Sequence, residues 1–375
     1  MKNLVIIGKV FPEPNSTAAG SRMIQLMDLF LTQNYQITFL STATISENSF
    51  DLSSKNISFQ NIVLNDSSFD ELIKNLNPEI VIFDRFTTEE QFGWRVSEQV
   101  PNAVKILDTE DLHFLRTARE KAFKQNRNLE HLDLINDVFK REIASILRCD
   151  LSLIISEFEM NLLIEKFRID ENILFYLPLF GEVKKPETSF SERKNFISIG
   201  NFLHEPNWQT VLQLKKLWKN IKNQLQEAEI HIYGAYASEK VFQLHNEKEG
   251  FIIKGRAESV ESVFSQAKVL LAPIPFGAGI KGKLLESMQF GLPNVTSTVG
   301  AEAMHGNLDW NGFITDNETK FVEKTVLLYQ DEKKKKKSQE NGYKIVENRF
   351  KKNFFEYNFI HKIQEISENL EFHRN

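Results

Sequence analysis

The chain has 375 residues, of which 41% are hydrophobic and 26% are charged, a length that suggests two soluble domains. Its formal net charge of -5 gives no general reason to expect DNA as a partner. The single cysteine, Cys149, excludes an internal disulfide and so a secreted fold held by such bridges, which makes a reducing cytoplasm the expected location.

Short apolar runs alternate with longer amphipathic stretches, and the first run, Leu4–Ile7, is too short for a signal sequence or a membrane span. The strands expected in the first half are Leu4–Ile7, Ile37–Leu40, Ile62–Leu64, Ile80–Phe83, Val104–Leu107 and Leu151–Ile155. Their continuous apolar character predicts parallel strands with helices on both faces. After the last of them, Ser156 and Glu159 predict a capping box that opens a helix.

Residues 178–195 interrupt this rhythm with prolines, a glycine and many polar residues, which indicates a linker. Strands are then expected again at Phe196–Ile199, Ile230–Tyr233, Phe251–Ile253, Val269–Ala272 and Asn294–Thr296. The pattern predicts an α/β protein with two doubly wound, Rossmann-like parallel sheets and a cleft between them. The expected divisions are a first domain at 1–178, a linker at 179–194, a second domain at 195–350 and a C-terminal helix at 351–375.

A glycine-rich loop between a strand and a helix carries the strongest functional signal. Glycines let the backbone approach a phosphate closely, and free N–H groups at a helix start attract negative charge. The loop and helix supply three glycines, two lysines and a carboxylate: Gly277, Gly279, Gly282, Lys281, Lys283 and Glu286. Because Glu286 follows Lys283 by three positions, it shares that face of the helix and can accept hydrogen bonds from ribose or sugar hydroxyls.

The same loop fits the dinucleotide pattern G-x-G-x-x-G, and Glu302 follows Gly282 by twenty residues. An NAD(P)-dependent oxidoreductase is therefore an alternative. However, Pro273–Phe276 separate the strand from the first glycine, and the motif comes late in its domain, whereas the dinucleotide turn normally follows the first strand closely.

The run GIKGKLLE at 279–286, with GLP at 291–293 and VGAE at 299–302, resembles the donor-site signature of glycosyltransferase family 4, which has the GT-B fold. Similar too are FISIGNFLHEPNW at 196–208, IHIYGA at 230–235 and IIKGR at 252–256. The resemblance is fainter in the first half, where the segments GKVFPEPNSTAAGSR at 8–22 and DTEDLH at 108–113 match best.

This resemblance implies a retaining transferase that moves a sugar from a UDP- or GDP-linked donor without a metal or other cofactor. It also implies that the first domain is on the acceptor side, that the second domain binds the nucleotide-sugar, and that the C-terminal helices return toward the first domain. The donor-binding residues that it implies are Gly20, Gly200, Asn201, Gly255, Arg256, Gly277, Gly279, Ile280, Lys281, Lys283 and Glu286. His113, Asp111 and Lys281 are the implied catalytic residues. The acceptor stays open among a saccharide, a lipid-linked sugar, a protein and RNA.

Two positions depart from the family pattern. Ala278 stands where the family often has a glutamate, and the segment 200–205 lacks the usual basic pair. The first departure supports a second alternative, a non-catalytic GT-B binding protein.

Some candidate residues also have purely structural interpretations. Asp111 could be a helix N-cap, and His113 could simply begin a helix. The cations within 116–148 could contact an anionic membrane peripherally, but interspersed acidic residues, among them Glu142, favour a solvated helix face. Acidic neighbours likewise make the run Lys333–Lys337 a solvated helix start.

Overall fold

The computed structural model describes residues 2–185 and 188–374. Its first sheet has seven parallel strands in the order β3-β2-β1-β4-β5-β6-β7. These are β1 Lys2–Gly8, β2 Tyr35–Ser41, β3 Ser58–Asn61, β4 Ile80–Asp84, β5 Val104–Asp108, β6 Leu151–Ile154 and β7 Leu174–Tyr176.

The second sheet has six parallel strands in the order β10-β9-β8-β11-β12-β13. These are β8 Lys194–Ile199, β9 Ile230–Tyr233, β10 Phe251–Gly255, β11 Ala267–Ala272, β12 Asn294–Thr296 and β13 Gly312–Ile314. In both sheets the chain starts near the middle, moves to one edge and then returns to the other side. The strand order therefore reverses between β1 and β4 and between β8 and β11, and such reversals are where α/β sheets bind ligands.

Helices connect the strands and cover the sheets. Those of the first half are α1 Ala18–Leu31, α2 Ser68–Leu76, α3 Phe86–Gln99, α4 His113–Lys124, α5 Asp137–Arg148 and α6 Glu157–Asn161. Those that follow are α7 Glu205–Gln224, α8 Glu239–Phe242, α9 Val260–Gln266, α10 Gly282–Gln289, α11 Thr298–Ala301, α12 Glu318–Gln330, α13 Glu332–Arg349 and α14 Glu356–Arg374. Within the described ranges, no helix combines the length and apolar composition needed to cross a membrane.

Burial on both faces of the first sheet explains its continuous apolar strands. In β1, Val5 and Ile7 pack into one hydrophobic cluster, whereas Leu4 and Ile6 pack into another on the opposite face. When both faces of a strand are covered, successive side chains on either face lack access to water, so the strand is apolar throughout and does not alternate apolar and polar residues. The predicted pair of doubly wound parallel sheets is confirmed.

Edge strands are where the sequence-based prediction was wrong. The third strand is not Ile62–Leu64 but Ser58–Asn61, and all four of its residues are exposed. As an edge strand it buries little, so no apolar run marks it. The short strands β7 and β13, also at sheet edges, were not predicted.

The last helix returns to the first sheet, as expected. On α14, Phe359 and Ile363 are buried in the cluster that contains Leu4 and Phe30, and the rings of Phe359 and Phe30 meet edge to face at 5.8 Å. The chain thus crosses back after α13, which packs on the second domain beside α10. The expected divisions at residues 178, 194 and 350 stay predictions.

Truncating Phe359 should destabilise the first domain, since this ring is completely buried. We expect Phe359→Ala to lower the free energy of unfolding by about 3–5 kcal/mol, the usual cost of removing a buried phenylalanine ring. The matched control is Tyr357→Ala on the same helix, whose side chain is 75% exposed and should matter little. Urea titration checks both, and equal losses for the two variants would contradict the packing described.

Candidate functional site

The loop after β11 meets the segment after β5 across the cleft between the domains. Gly279 has a φ of +64°, and a Cβ atom there would lie 2.9 Å from the Cβ of Asp111. A side chain at position 279 is therefore excluded both by backbone conformation and by the close approach of the first domain. The glycine-rich loop and the DTEDLH segment form two walls of one site.

A buried carboxyl group from the first domain joins these two walls. Oε1 of Glu159 accepts hydrogen bonds from the N–H of Leu112 at 3.1 Å and from the N–H of Gly279 at 2.8 Å. Burial, reinforced by the nearby Asp111, raises the pKa of Glu159 to about 8. The predicted capping box is wrong, because the Ser156 side chain makes no capping hydrogen bond and Glu159 contacts the other domain instead.

Arg119 forms a second connection between the domains. Its guanidinium donates to the carbonyl of Gly277 at 2.7 Å and forms a bidentate pair with Glu302 at 2.9 and 2.7 Å. Arg119 was expected on a solvated or membrane-facing helix surface, and the structure places it in the cleft instead. Several other cations of this stretch have acidic partners: Arg127 with Asp133, Arg141 with Glu90, and Arg148 with Glu89.

Lys281 makes hydrogen bonds within the glycine-rich loop to which it belongs. Its ammonium donates to the carbonyl oxygens of Ala278 at 3.1 Å and Gly279 at 2.7 Å. Burial lowers the pKa of Lys281 to about 8 against the attraction of Glu302. A cation held in this way is positioned before any ligand arrives.

Lys283 is connected to the loop after β8. Its ammonium donates to Oδ1 of Asn207 at 2.7 Å, and the Asn207 amide donates to the carbonyl of Asn201 at 2.9 Å. Burial lowers the pKa of Lys283 to about 8 against the attraction of Glu286. Asn207 thereby brings the predicted residues Asn201 and Lys283 together. It was not singled out from the sequence, although it lies in the FISIGNFLHEPNW segment.

Glu286 is partly buried and has free acceptor capacity. Its carboxylate accepts no hydrogen bond from the residues that the structure describes, and burial raises its pKa to about 7 against the attraction of Lys283. At the start of the same helix, the backbone N–H groups of Gly282 and Lys283 also donate to no described residue. The start of α10 thus combines two lysine cations with N–H groups and a carboxylate that have no hydrogen-bond partner among the described residues, which suits a phosphate next to a hydroxylated ring.

The remaining predicted donor-binding residues lie at several places around the cleft. Gly255 ends the edge strand β10, and Arg256, which follows it, is exposed and makes no hydrogen bond or ion pair with a described residue. Ile280 is buried against Ile155 of the first domain. Gly20 lies inside α1 and packs on the backbone of Glu13, so closely that a Cβ atom there would be 2.4 Å away.

His113 begins α4, and acidic groups surround one of its ring nitrogens. Nδ1 lies 3.0 Å from the carbonyl of Asp111 and 3.2 Å from Oε1 of Glu142, whereas Nε2 makes no hydrogen bond within the described ranges. Glu142 also accepts the N–H groups of His113 and Phe114 at 3.1 and 3.0 Å. Glu142, which was expected on a solvated face, is therefore buried and caps α4.

Asp111 is an ion-pair partner rather than the N-cap of α4. The cap position is Leu112, and the Asp111 carboxylate accepts from Nη1 of Arg116 at 2.5 Å. Although burial works in the opposite direction, Arg116 and His113 hold the pKa of Asp111 well below its usual range. Asp111 is thus a fixed negative charge at the centre of the cleft.

The family model described as "Glycosyl transferases group 1" matches residues 193–331, which include β8 to β13 and α10. No curated protein gives a significant match. The match is confined to the second domain.

Solved structures resemble the whole chain. The pneumococcal O-GlcNAc transferase GtfA in complex with UDP and GlcNAc has a TM-score of 0.72 at 13% identity, covering 97% of this chain and 99% of that one. A variant of S. aureus TarM in complex with fondaparinux, α-GlcNAc-glycerol and UDP has a TM-score of 0.74 at 10% identity, covering 98% and 100%. Sucrose-phosphate synthase from Thermosynechococcus elongatus has 0.73 at 12%, covering 98% and 99%. The protein has the GT-B fold of these enzymes.

Glu159 should determine how the contact between the domains responds to pH. Its raised pKa means that the folded protein binds this proton more tightly than the unfolded chain does, so its contribution to stability falls as pH rises from about 4.5 to 8. Glu159→Gln keeps an acceptor oxygen but cannot ionise. We expect this variant to lose less stability than the parent between pH 6 and pH 8.5 in thermal unfolding.

Glu159→Ala removes the acceptor from two buried N–H groups and should destabilise the protein by about 2–4 kcal/mol at either pH. Glu171→Gln, at an exposed position of the same domain, is the matched control. Identical pH dependence in the parent and in Glu159→Gln would show that the carboxyl group does not titrate as inferred.

Proposed function

We propose that the protein is a glycosyltransferase that moves a sugar from a UDP- or GDP-linked donor to an acceptor hydroxyl, with retention and without a metal. The observation that carries this proposal is the start of α10. There, the partly buried carboxylate of Glu286 lies three positions after Lys283, and neither it nor the first N–H groups of the helix has a hydrogen-bond partner in the described part of the chain. This combination suits the two chemical halves of a nucleotide-sugar, the diphosphate and the hydroxylated rings.

Two comparisons support this assignment. The region that matches the group 1 glycosyltransferase family includes every element of the α10 site. GtfA and the TarM variant, which share the fold, were both determined in complexes that contain UDP. Two proteins that this chain resembles in fold thus bind the nucleotide part of such a donor.

In the proposed complex, the second domain holds the donor. Glu286 accepts from ribose hydroxyls, while Lys281, Lys283 and the first N–H groups of α10 hold the diphosphate. The 200–201 and 255–256 loops hold the nucleotide, with backbone groups of 277–280 beside the phosphates. Charges fixed before the reaction can stabilise the departing diphosphate in place of a metal ion.

In the first domain, His113 and Asp111 are proposed to act at the reacting sugar, with Gly20 nearby. When Nδ1 of His113 donates to the Asp111 carbonyl, the neutral ring leaves Nε2 as a hydrogen-bond acceptor for a sugar hydroxyl. During transfer, the bond from the anomeric carbon to the diphosphate oxygen breaks and a bond to the acceptor oxygen forms. The diphosphate leaves with the electron pair and takes up the acceptor's proton.

The two alternatives have less support. The carboxylate of Glu302, which a dinucleotide ribose would need, is held in a bidentate pair by Arg119. A non-catalytic binding protein remains an outcome of the experiment below, because Ala278 replaces the glutamate that is common in the family.

Removing the Glu286 carboxylate should weaken donor binding without unfolding the protein. A hydrogen-bonded charged group contributes about 1.5–3 kcal/mol, so we expect Glu286→Ala to weaken affinity roughly 10- to 150-fold. Calorimetry with UDP, GDP and a panel of their sugars measures this, with Glu261→Ala on the exposed side of α9 as control.

The same panel, incubated with and without EDTA, tests turnover and metal independence. Donor binding without hydrolysis or transfer would identify a binding protein. Donor binding that strictly requires Mg²⁺ would contradict the role of the lysines. An unchanged donor affinity in Glu286→Ala would contradict the assigned site.

Diphosphate binding should weaken as pH rises, because the pKa values of Lys281 and Lys283 are lowered to about 8. Between pH 7 and pH 9 such a lysine passes from mostly charged to mostly neutral, which should weaken UDP binding by up to about tenfold for each lysine. Lys283→Arg retains its charge throughout, so its UDP affinity should fall less steeply.

Glu286 ionises over part of the same range and would also disfavour the anion as pH rises, so the titration should be repeated in Glu286→Gln. An affinity for UDP that is independent of pH, or an equally steep fall in Lys283→Arg, would count against the two lysines as the phosphate-binding cations.

A further inference from the structure

The first domain has its own cavity at the reversal of strand order between β1 and β4. This cavity of about 70 Å³ lies between the loop after β1, the start of α1 and the ends of β4 and β5. Its polar lining includes Glu13, Asp84, Arg85 and Glu110, and Ala19 and Gly20 form part of its wall. Open α/β sheets bind ligands at this kind of reversal, outside the carboxyl ends of the strands.

Two carboxyl oxygens in this lining are buried without a hydrogen-bond partner among the described residues. Asp84 is only 4% exposed; its Oδ2 accepts from the N–H of Lys9 at 3.1 Å and from Arg85 at 3.3 Å, but its Oδ1 accepts nothing. Oε1 of Glu110 is likewise buried and unpartnered. A buried acceptor without a donor is costly, and a ligand hydroxyl would remove that cost.

The backbone around the cavity is strained at two non-glycine residues. Arg85 has a φ of +71° and Glu110 a φ of +64°, in the region that side chains disfavour. They follow neighbouring strands, and the N–H of Arg85 donates to the carbonyl of Asp108 at 2.8 Å. Strain of this kind persists where the surrounding structure enforces it, and it concentrates at binding and catalytic sites.

The charges around the cavity favour an uncharged ligand. Arg85 pairs with Asp84, and Arg22 pairs with Asp108 behind them. Burial, reinforced by Asp108, raises the pKa of Glu110 to about 8, so at neutral pH this carboxyl group is mostly protonated and can both donate and accept. A hydroxyl group, itself donor and acceptor, complements this arrangement, whereas an anion would meet the Asp84 carboxylate.

The cavity adjoins the donor side of the cleft. The carbonyl oxygen of Glu110 lies 3.6 Å from where a Cβ of Gly279 would be, so the segment that lines the cavity also contacts the glycine-rich loop. The cavity therefore adjoins the backbone segment that contacts the glycine-rich loop of the proposed donor site.

We propose that this cavity binds the hydroxyl-bearing end of the acceptor, and that this acceptor is an uncharged saccharide whose hydroxyls bond to Asp84 and Glu110. The inference rests on the proposed glycosyltransferase function and specifies the substrate class of its second site. It also predicts that sugars carrying a phosphate or carboxylate at the bound end are poor acceptors.

Ligand-observed NMR tests the cavity without a donor. The probes are the methyl glycosides of glucose, galactose and N-acetylglucosamine, compared with glucose 6-phosphate and glucuronic acid. We expect at least one neutral glycoside to bind the parent protein. Glu110→Ala should weaken that binding at least tenfold. Glu110→Gln should retain most of the binding, because its amide keeps a hydrogen-bond donor and an acceptor. Ala19→Leu should also weaken it by filling the cavity, and Glu120→Gln on α4 is the control.

With the active donor from the panel, the same variants should raise the acceptor KM while UDP affinity stays within about twofold of the parent, and melting temperatures verify folding. The proposal is overturned if no neutral glycoside binds the parent, if Glu110→Ala and Ala19→Leu bind it as the parent does, or if only the anionic sugars bind. A protein that binds neutral glycosides in this cavity but binds no nucleotide-sugar would instead overturn the glycosyltransferase function.

Discussion

One buried carboxyl group accepts backbone hydrogen bonds from both halves of this protein and joins them at the cleft. Glu159 accepts from Leu112 in its own domain and from Gly279 in the other. Gly279 can approach so closely only because it lacks a side chain and adopts a left-handed backbone. This contact holds the glycine-rich loop against the DTEDLH segment.

The site beyond this contact holds charges in an environment that disfavours them. Burial lowers the pKa values of Lys281 and Lys283 and raises that of Glu286, so each charged form is destabilised relative to water. A diphosphate would stabilise the charged lysines, and hydroxyl donors would stabilise the charged carboxylate. Perturbed groups in a cleft are a feature of functional sites, because part of their electrostatic cost is relieved when the ligand binds.

The sequence predicted the central strands and the glycine-rich loop, because both depend on local features such as continuous apolar runs and glycines before a helix. It did not reveal β3, whose four residues are exposed and lack an apolar pattern. Nor did it reveal Glu159, which is separated from Gly279 by 120 positions and has a local spacing that fits a capping box. Glu142 and Arg119 were assigned to a solvated face for the same reason, since their partners are distant in sequence.

The two sides of the cleft differ in charge, and this difference bears on how one site can handle two substrates. The second domain presents lysines and N–H groups that donate to no described residue, whereas the cavity of the first domain presents the carboxyl groups of Asp84 and Glu110 beside Arg85. A diphosphate that entered the proposed acceptor cavity would meet the Asp84 carboxylate, and an uncharged sugar gains little from the lysines. In the proposed complex, repulsion of the diphosphate from the first-domain cavity therefore adds to its attraction to the lysines of the second domain, and both effects keep the donor and the acceptor in separate sites. Because the segment of Glu110 and Asp111 also approaches the glycine-rich loop, the proposed reaction would transfer the sugar at the boundary between the two environments.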